Sequence, residues 1–309
     1  MNKKLLLFIV KRLILAVITV FLVITITFFA MQLIPGGPFT SEKAVSEEAL
    51  TILKAKYGLD KPLFIQYLNY LKNALVFDFG YSIKNRGAIS VGDIIKNGLK
   101  TSAPMGLAAA AIAILVGVIL GSLAAYKHNT WVDRLIMVIS TSFVAVPSFI
   151  ISTILLYLCC VKWKILPANG GDIKGYILPT ITLSFYPTAY IIRLTRSSSL
   201  DVLGSDYIRT AHAKGLSFTK VLFKHSLRNS LTPVITYAGP MIAFILSGSL
   251  VIEQIYGIPG IGRSFVSCIT NRDYPVIMGL TIFLTVLVIF MVLVSDILYK
   301  VVNPRVELE

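Results

Sequence analysis

The sequence predicts an all-α, polytopic membrane protein with six transmembrane helices. Of its 309 residues, 56% are hydrophobic and only 14% are charged, and the mean hydropathy is +0.79. Soluble domains carry about 25% charged residues, so an ordinary soluble domain is excluded. Six apolar runs stand out, and most of them reach the roughly 20 residues that a helix needs to cross a hydrocarbon core about 30 Å thick.

These runs are assigned as the spans, in chain order, at residues 13–34, 104–126, 135–161, 177–194, 232–252 and 276–299. The fourth run is short, but Leu194 extends it past Arg193, whose long stem can carry its charge to the interface. The first run is too long for a signal peptide, and no A-x-A cleavage site follows it. It is therefore interpreted as a retained helix.

The positions of Lys and Arg predict that both termini are cytoplasmic, because cytoplasmic flanks retain positive charge. The chain has 29 basic residues. About 15 of them fall within roughly 70 positions on one side of the membrane, against about 14 within roughly 107 on the other. The richer side comprises the amino terminus 1–12, the loop 127–134, the loop 195–231 with the adjoining Arg193, and the tail 300–309.

The segment 35–103 is too polar to cross and is predicted to form a small extracytoplasmic cap. Ser46 can accept backbone N–H bonds as a helix N-cap, and Gly58 can close that helix. A second amphipathic stretch, from Leu63 to Val76, is about 14 residues long. At that length it is predicted to lie on the cap or the interface rather than to span.

Few side chains in the spans could carry chemistry. Ion-coupled carriers and membrane enzymes usually need ionisable groups at membrane depth. Here Asp296 and Arg193 lie only at span ends. The three histidines, His128, His212 and His225, fall in predicted cytoplasmic loops without an H-E-x-x-H pair, which excludes an intramembrane metalloprotease.

Other common sites are also missing from the sequence. No G-x-x-x-x-G-K-[ST] string occurs, so ATP chemistry must come from a partner, and the GIPGIG string at 257–262 is interpreted as a turn. Three cysteines are too few for a disulfide framework, and their spacing is not of the zinc type. The formal net charge of +14 is interpreted against a bilayer rather than a nucleic acid.

Several residues within the spans have a packing interpretation. Gly117 and Gly121 form a G-x-x-x-G pair that lets helices approach closely. Pro147, Pro187 and Pro240 remove backbone donors, which is tolerated where helices flex or line a cavity. Tyr186, Tyr190 and Tyr237 are at a depth suited to a pathway wall, but aromatic residues in spans more often pack or anchor, so the substrate pathway stays unassigned.

The long cytoplasmic loop contains the signals of a short helix. Ser205 can cap its start, Asp206 suits its first turn, and Gly215 can adopt the left-handed conformation at its end. Ser217 is predicted to cap a second helix that runs towards Thr232. The strip DYIRTAHAKGLS joins apolar and basic side chains, which is typical both of a docking plug and of an interfacial helix on anionic lipid. The pattern alone does not choose between them.

This loop resembles the EAA loop of ABC importer permeases, in the form found in peptide permeases, with Arg209 where other importers have the glutamate of the motif. Strings along the whole chain resemble the same family: IPGGPFT, YGLDKPLFIQYLNYL, DFGYS, IEQIYGIPGIG, NRDYPV and NPR. The oligopeptide permease subunit of the B type is the most similar form, and dipeptide and nickel permeases share the loop motif.

The resemblance implies the type I ABC importer permease fold and a transport role without catalysis by this chain. It assigns ten residues between positions 206 and 216 to the ATPase-coupling loop: Asp206, Tyr207, Arg209, Thr210, Ala211, His212, Ala213, Lys214, Gly215 and Leu216. ATP-driven closure of two ATPase subunits would then tilt the spans between inward-open and outward-open states.

The implied partners are a second homologous permease subunit, two ATPase subunits, an extracytoplasmic peptide-binding protein and membrane lipid, with no nucleic acid. No cofactor is expected on this chain, and ATP and Mg are expected on the ATPases. The implied location is a bacterial-type plasma (inner) membrane. An ion-coupled carrier lacks its buried carboxylates and a membrane enzyme lacks its nucleophile and base, so both alternatives are weaker.

Overall fold

The computed structural model describes residues 3–34, 51–52, 54–55, 57–85, 87–168, 170, 172–216 and 227–302. Over these ranges the chain is helical, without strands beyond one isolated bridge between Tyr81 and Ser90. The helices are α1 (Lys3–Gln32), α2 (Leu63–Leu75), α3 (Val91–Tyr126), α4 (Trp131–Ala145), α5 (Ser148–Leu156), α6 (Ile177–Leu203), α7 (Asp206–Ala213), α8 (Leu227–Ser230), α9 (Thr232–Leu246), α10 (Leu250–Ile255), α11 (Ile261–Thr270) and α12 (Tyr274–Val302). A π-helical turn, Tyr157–Lys162, follows α5, and a 3-10 turn, Ile173–Tyr176, precedes α6. The predicted all-α class is confirmed for these residues.

Several helices are suited to crossing a membrane. In the described part of the chain, four segments are long and apolar enough: Val10–Gln32, Val91–Tyr126, Thr232–Ile255 and Tyr274–Ile297. A fifth qualifies only as a broken pair, Trp131–Ala145 with Ser148–Lys162, bent by 97°. The chain is therefore a multi-pass membrane protein by length and composition.

Pro147 explains the bend in the predicted third span. Proline has no N–H to donate and disfavours helical backbone at the residue before it. Val146 accordingly has φ −88° and ψ 122°, and α5 begins directly after the proline. Pro187 and Pro240, by contrast, lie inside the continuous helices α6 and α9.

Helix α3 begins at Val91, well before the apolar run at 104–126. The cause is an N-terminal cap by Ser90 that the apolar pattern does not reveal. The Ser90 hydroxyl accepts the backbone N–H of Asp93 at 3.0 Å and donates to the Asp93 carboxylate at 2.8 Å. This reciprocal bonding starts the helix.

Helix α6 has 27 residues but is not among the four segments that are apolar enough by themselves. Buried hydroxyl residues lower its hydropathy. The hydroxyls of Thr195 and Ser199 have no hydrogen-bond partner within the described residues. The other four donate to carbonyls three or four residues earlier, as Thr182 does to Leu178 at 2.8 Å and Thr188 does to Ser184 at 2.7 Å. Such bonds let a Ser- and Thr-rich helix pack among other helices within a membrane.

The chain divides into two compact units: residues 1–101 with 259–289, and residues 102–258 with 290–309. In the first unit, α2 occupies the predicted amphipathic stretch and packs on α1. The Tyr67 hydroxyl lies 2.8 Å from that of Thr25, and the Tyr67 ring centroid lies 5.4 Å from that of Phe28. Gly58 has φ +67°, the left-handed conformation predicted for it, whereas Ser46 lies outside the described residues.

A buried carboxylate joins distant parts of the first unit. Asp273 accepts the Ser82 hydroxyl at 2.5 Å and the Ile83 N–H at 3.0 Å. Lys84 also donates to the side chain of Asn271. The DFGYS and NRDYPV strings, which are far apart in the sequence, therefore meet at one carboxylate.

Cys268 lies in α11 of the same unit and is buried. Burial, with a smaller contribution from the nearby Asp273 charge, raises the pKa of the Cys268 thiol to about 12. The thiol is therefore protonated at neutral pH and is a poor nucleophile, which fits a packing role.

The second unit is built around α6. Helix α3 approaches α6 closely through the predicted G-x-x-x-G pair. A Cβ atom on Gly117 would lie 2.6 Å from Ile191 Cγ2, and one on Gly121 would lie 2.6 Å from the Ile192 carbonyl oxygen. The packing interpretation of these two glycines is confirmed, because no larger residue fits without displacing α6.

Gly121→Ala is expected to destabilise the protein by about 1–3 kcal/mol, because the added methyl group overlaps the α6 backbone. Gly92→Ala on the same helix is the matched control, since its Cβ would meet only the Ser90 hydroxyl oxygen at an ordinary 3.8 Å. Thermal unfolding of the two variants in detergent should show a lower midpoint only for Gly121→Ala. Equal midpoints would show that α3 and α6 do not pack this closely.

Candidate functional site

The candidate site is the short helix α7, which follows α6 after Gly204 and Ser205. The Ser205 carbonyl accepts the N–H groups of Ile208 and Arg209 at 3.2 and 3.3 Å, which forms the first turn. The Ser205 hydroxyl itself donates to the Val202 carbonyl at 2.5 Å. Helix α7 begins where predicted. The Ser205 side chain bonds to the last turn of α6.

The end of α7 also follows the sequence prediction. Lys214 N–H bonds to the Thr210 carbonyl at 3.1 Å, and Gly215 then has φ +74°. This left-handed backbone favours glycine because a Cβ would be strained there whatever the surrounding space. The second predicted cap, Ser217, lies outside the described residues.

A single apolar residue anchors α7. Ile208 is 1% exposed and packs against Val202, Leu203 and the partly buried Leu216. Around it, seven residues of the predicted loop are exposed: Asp206, Tyr207, Arg209, Thr210, Ala213, Lys214 and Gly215. Ala211 and His212 lie in the helix, but their side chains are outside the described part of the structure. Most of the described surface of α7 is therefore exposed and does not pack against the rest of the chain.

The exposed charges of α7 are weakly paired. Arg209 Nη1 lies 3.5 Å from an Asp206 carboxylate oxygen, and both side chains are strongly exposed. Such a pair contributes little to stability, so both charges are available to a partner. The Tyr207 hydroxyl accepts a hydrogen bond from Asn229 Nδ2 at 2.9 Å, which links α7 to α8.

An ion pair holds the helix that leads into α7. Arg196, two turns before the end of α6, bonds through Nε to Asp133 Oδ1 at 2.6 Å and through Nη2 to Oδ2 at 2.8 Å. Asn129 N–H donates to the same carboxylate at 3.0 Å, and His128 Nδ1 lies 3.2 Å from Arg196 Nη2. Because Asp133 is buried, this bidentate pair fixes the α3–α4 turn to α6.

A second buried carboxylate lies elsewhere in the same unit. Glu253 in α10 is fully buried and accepts the Ser102 hydroxyl at 2.8 Å. The backbone then turns, with Gly257 at φ +63°, as predicted for the GIPGIG string. Sequence reasoning missed Glu253 because it follows the predicted end of the fifth span. Its position inside the IEQIYGIPGIG string was the only available signal.

The exposed face of α7 carries basic, hydroxyl and aromatic groups on a helix that is held from one side. Such a surface can contact another protein or anionic lipid. Among the described residues, no group of three or more His, Cys, Asp and Glu side chains could hold a metal ion.

Removing the carboxylate of the Asp133–Arg196 pair is expected to destabilise the second unit. Asp133→Asn leaves the guanidinium without its charged acceptor, at a cost of about 2–3 kcal/mol. Asp206→Asn is the control, because its carboxylate is exposed and only loosely paired. Thermal unfolding should separate the two variants. A midpoint for Asp133→Asn as high as that of the control would show that the pair does not hold α6.

Family models and full-length relatives match nearly the whole chain. Residues 117–308 match the model of the binding-protein-dependent transport system inner membrane component, and residues 5–94 match the amino-terminal model of such membrane components. The chain is 43% identical over 302 residues to the dipeptide transport system permease protein DppB of Bacillus subtilis, which covers 97% of this chain and 98% of the relative. It is also 42% identical over 303 residues to the oligopeptide transport system permease protein OppB of Salmonella typhimurium. That alignment covers 97% of this chain and 99% of the relative.

A solved structure shares the fold at low identity. A chain of the inward-facing MetNI methionine ABC transporter aligns with a TM-score of 0.55 and 14% identity, over 68% of this chain and 96% of that chain. This likeness supports the fold alone. By the full-length relatives and the family models, the chain belongs to the family of inner-membrane permease components of binding-protein-dependent transport systems, together with the OppB and DppB permeases.

Proposed function

We propose that this chain is one of two permease subunits that form the pathway of an ATP-driven ABC importer for peptides, most directly oligopeptides. The observation that carries the proposal is α7, a helix with an exposed surface that is separated from α6 by only two residues. The names of the OppB relatives favour oligopeptides. Dipeptides are the second candidate, because a DppB permease is 43% identical to the chain.

In this proposal, α7 docks in a groove of an ATPase subunit through the exposed residues from Asp206 to Gly215. Only Gly204 and Ser205 separate α7 from α6, and Ile208 packs on the last turn of α6. A displacement of α7 would therefore move α6 rather than be absorbed by a flexible linker. The Asp133–Arg196 pair would pass that movement on to the α3–α4 turn.

The proposed complex contains a second, homologous permease subunit, two ATPase subunits and an extracytoplasmic peptide-binding protein. ATP and Mg would be held by the ATPases, so no cofactor or catalytic residue is assigned to this chain. Lipid surrounds the spans, and no nucleic acid takes part. The exposed aliphatic side chains of α1, such as Val17 and Ile26, suit such a lipid environment.

We further propose six spans with both termini in the cytoplasm of a bacterial-type plasma membrane. Five of these spans are the four long apolar segments and the broken pair described above. The remaining span is α6, whose 27 residues would extend about 40 Å, enough to cross the hydrocarbon core. Four of its buried hydroxyl side chains donate to carbonyls three or four residues earlier, which reduces their cost in the membrane. The distribution of Lys and Arg supports the orientation.

The function is tested with the complex purified through this chain and reconstituted with its binding protein. We expect ATP-dependent uptake of a labelled tetrapeptide. Gly215→Glu should abolish uptake and the stimulation of ATPase activity, because a bulky anion is placed at φ +74° beside the basic face of α7.

Gly204→Ala is the matched control for that test. Gly204 has an ordinary negative φ, and its Cβ would meet the Asp201 and Leu200 carbonyl oxygens at 3.6 and 3.7 Å. It should transport normally. Normal uptake by Gly215→Glu at equal abundance would contradict the docking role, whereas a wild-type complex without peptide uptake would contradict the substrate class.

The orientation is tested by labelling single cysteines in intact cells with an impermeant thiol reagent. Cysteines at Lys61 and Lys174 should react from outside, and a cysteine at Lys127, in the turn after α3, should react only after permeabilisation. All three positions have described backbones outside the predicted spans. The reverse pattern would overturn the topology.

A further inference from the structure

Helix α6 carries a polar stripe on its exposed face. Tyr186, Tyr190, Arg193 and Ser197 follow one another at steps of four, three and four residues, so they lie on one side of the helix. Tyr186 is 53% exposed and Tyr190 is 39% exposed, and Ser197 is also exposed. The residues between them are mostly buried.

The stripe differs from the apolar part of α3. Between residues 104 and 125 the exposed side chains of α3 are all aliphatic, as at Leu107, Leu115 and Ile119. Tyr186 lies near the middle of the proposed fourth span, about 12 Å from either end. Within the described residues, neither tyrosine hydroxyl has a hydrogen bond and Arg193 has no ion pair. Polar groups without partners are costly in hydrocarbon, so this face does not suit lipid.

A second helix extends the same surface. Tyr237 of α9 stacks on Tyr190, with ring centroids 4.3 Å apart and an interplanar angle of 32°. Beyond Tyr237, the exposed side chains of α9 include Thr236 and Phe244. Two neighbouring helices therefore present hydroxyl and aromatic groups together.

We propose that Tyr186, Tyr190, Arg193 and Tyr237, called here the tyrosine stripe, line the translocation pathway and contact the transported peptide. The inference rests on the proposed function and adds the residues of the pathway to it. Phenol hydroxyls can bond to peptide amides and carbonyls of any sequence, and the rings can pack against varied side chains. The unpaired Arg193 complements the carboxylate at the peptide's carboxyl terminus.

The first test measures access to the stripe in the assembled complex in nanodiscs. In a background without Cys159, Cys160 and Cys268, Tyr186→Cys should react with a sulfonated methanethiosulfonate, and saturating tetrapeptide delivered by the binding protein should slow the reaction severalfold. Tyr157→Cys is the matched control, because Tyr157 is 56% exposed on another proposed span. Its reaction should not depend on peptide.

Two results would contradict the proposal that the tyrosine stripe lines the translocation pathway. If Tyr186→Cys reacts only with a lipid-soluble maleimide, the face contacts lipid. If it reacts in the isolated chain but not in the complex, with or without peptide, the second permease subunit covers it. In both cases wild-type peptide uptake, measured in the same preparation, decides separately whether the proposed function stands.

The second test uses the charge of Arg193. For a tetrapeptide with a free carboxylate, Arg193→Gln should lower uptake relative to wild type by about tenfold, the effect of one charge-assisted hydrogen bond. For the same peptide with an amidated carboxyl terminus, the two complexes should differ little. Because each ratio compares complexes with the same binding protein, the selectivity of that protein cancels.

Arg134→Gln is the control arginine, exposed in the first turn of α4. It should leave the uptake of both peptides unchanged. An equal loss for both peptides in Arg193→Gln would show that the arginine acts on structure rather than on the carboxylate, and it would remove Arg193 from the stripe.

Discussion

The close approach of α3 to α6 is the constraint on which the second unit depends. Gly117 and Gly121 leave no room for a side chain, so the α6 backbone lies directly against α3. On its other sides α6 contacts α4, α5 and α9. Because α6 also carries Arg196, the outward polar face and the link to α7, its position determines where all of these features lie.

Three buried carboxylates connect separate elements in the part of the chain that the structure describes. Asp273, Asp133 and Glu253 are each buried, and each accepts hydrogen bonds from a segment far away in the sequence. A buried carboxylate is tolerated only when donors compensate for its lost hydration, so each one requires a specific partner. These groups therefore specify how elements meet. Their role in the structure is to hold distant segments together.

The features that the sequence predicted correctly are local. The amphipathic helix α2, the left-handed Gly58 and Gly215, and the limits of α7 depend on side chains within a few positions of one another. The two predictions that needed revision also depend on local signals, which hydropathy does not report. The cap at Ser90 starts α3 at Val91, well before the apolar run, and the bend at Pro147 divides what hydropathy presents as one run.

From the sequence alone follow the class of protein, the approximate positions of its apolar helices, the short helix α7 and, through the motifs, the family. The tertiary structure adds which side chains meet: Asp133 with Arg196, Ser82 with Asp273, Ser102 with Glu253, and Tyr190 with Tyr237. The physical reason is that periodicity within one helix reports whether a side chain faces inward or outward. Its partner lies in another segment, tens to nearly two hundred residues away, and is selected by how the helices and their connections pack.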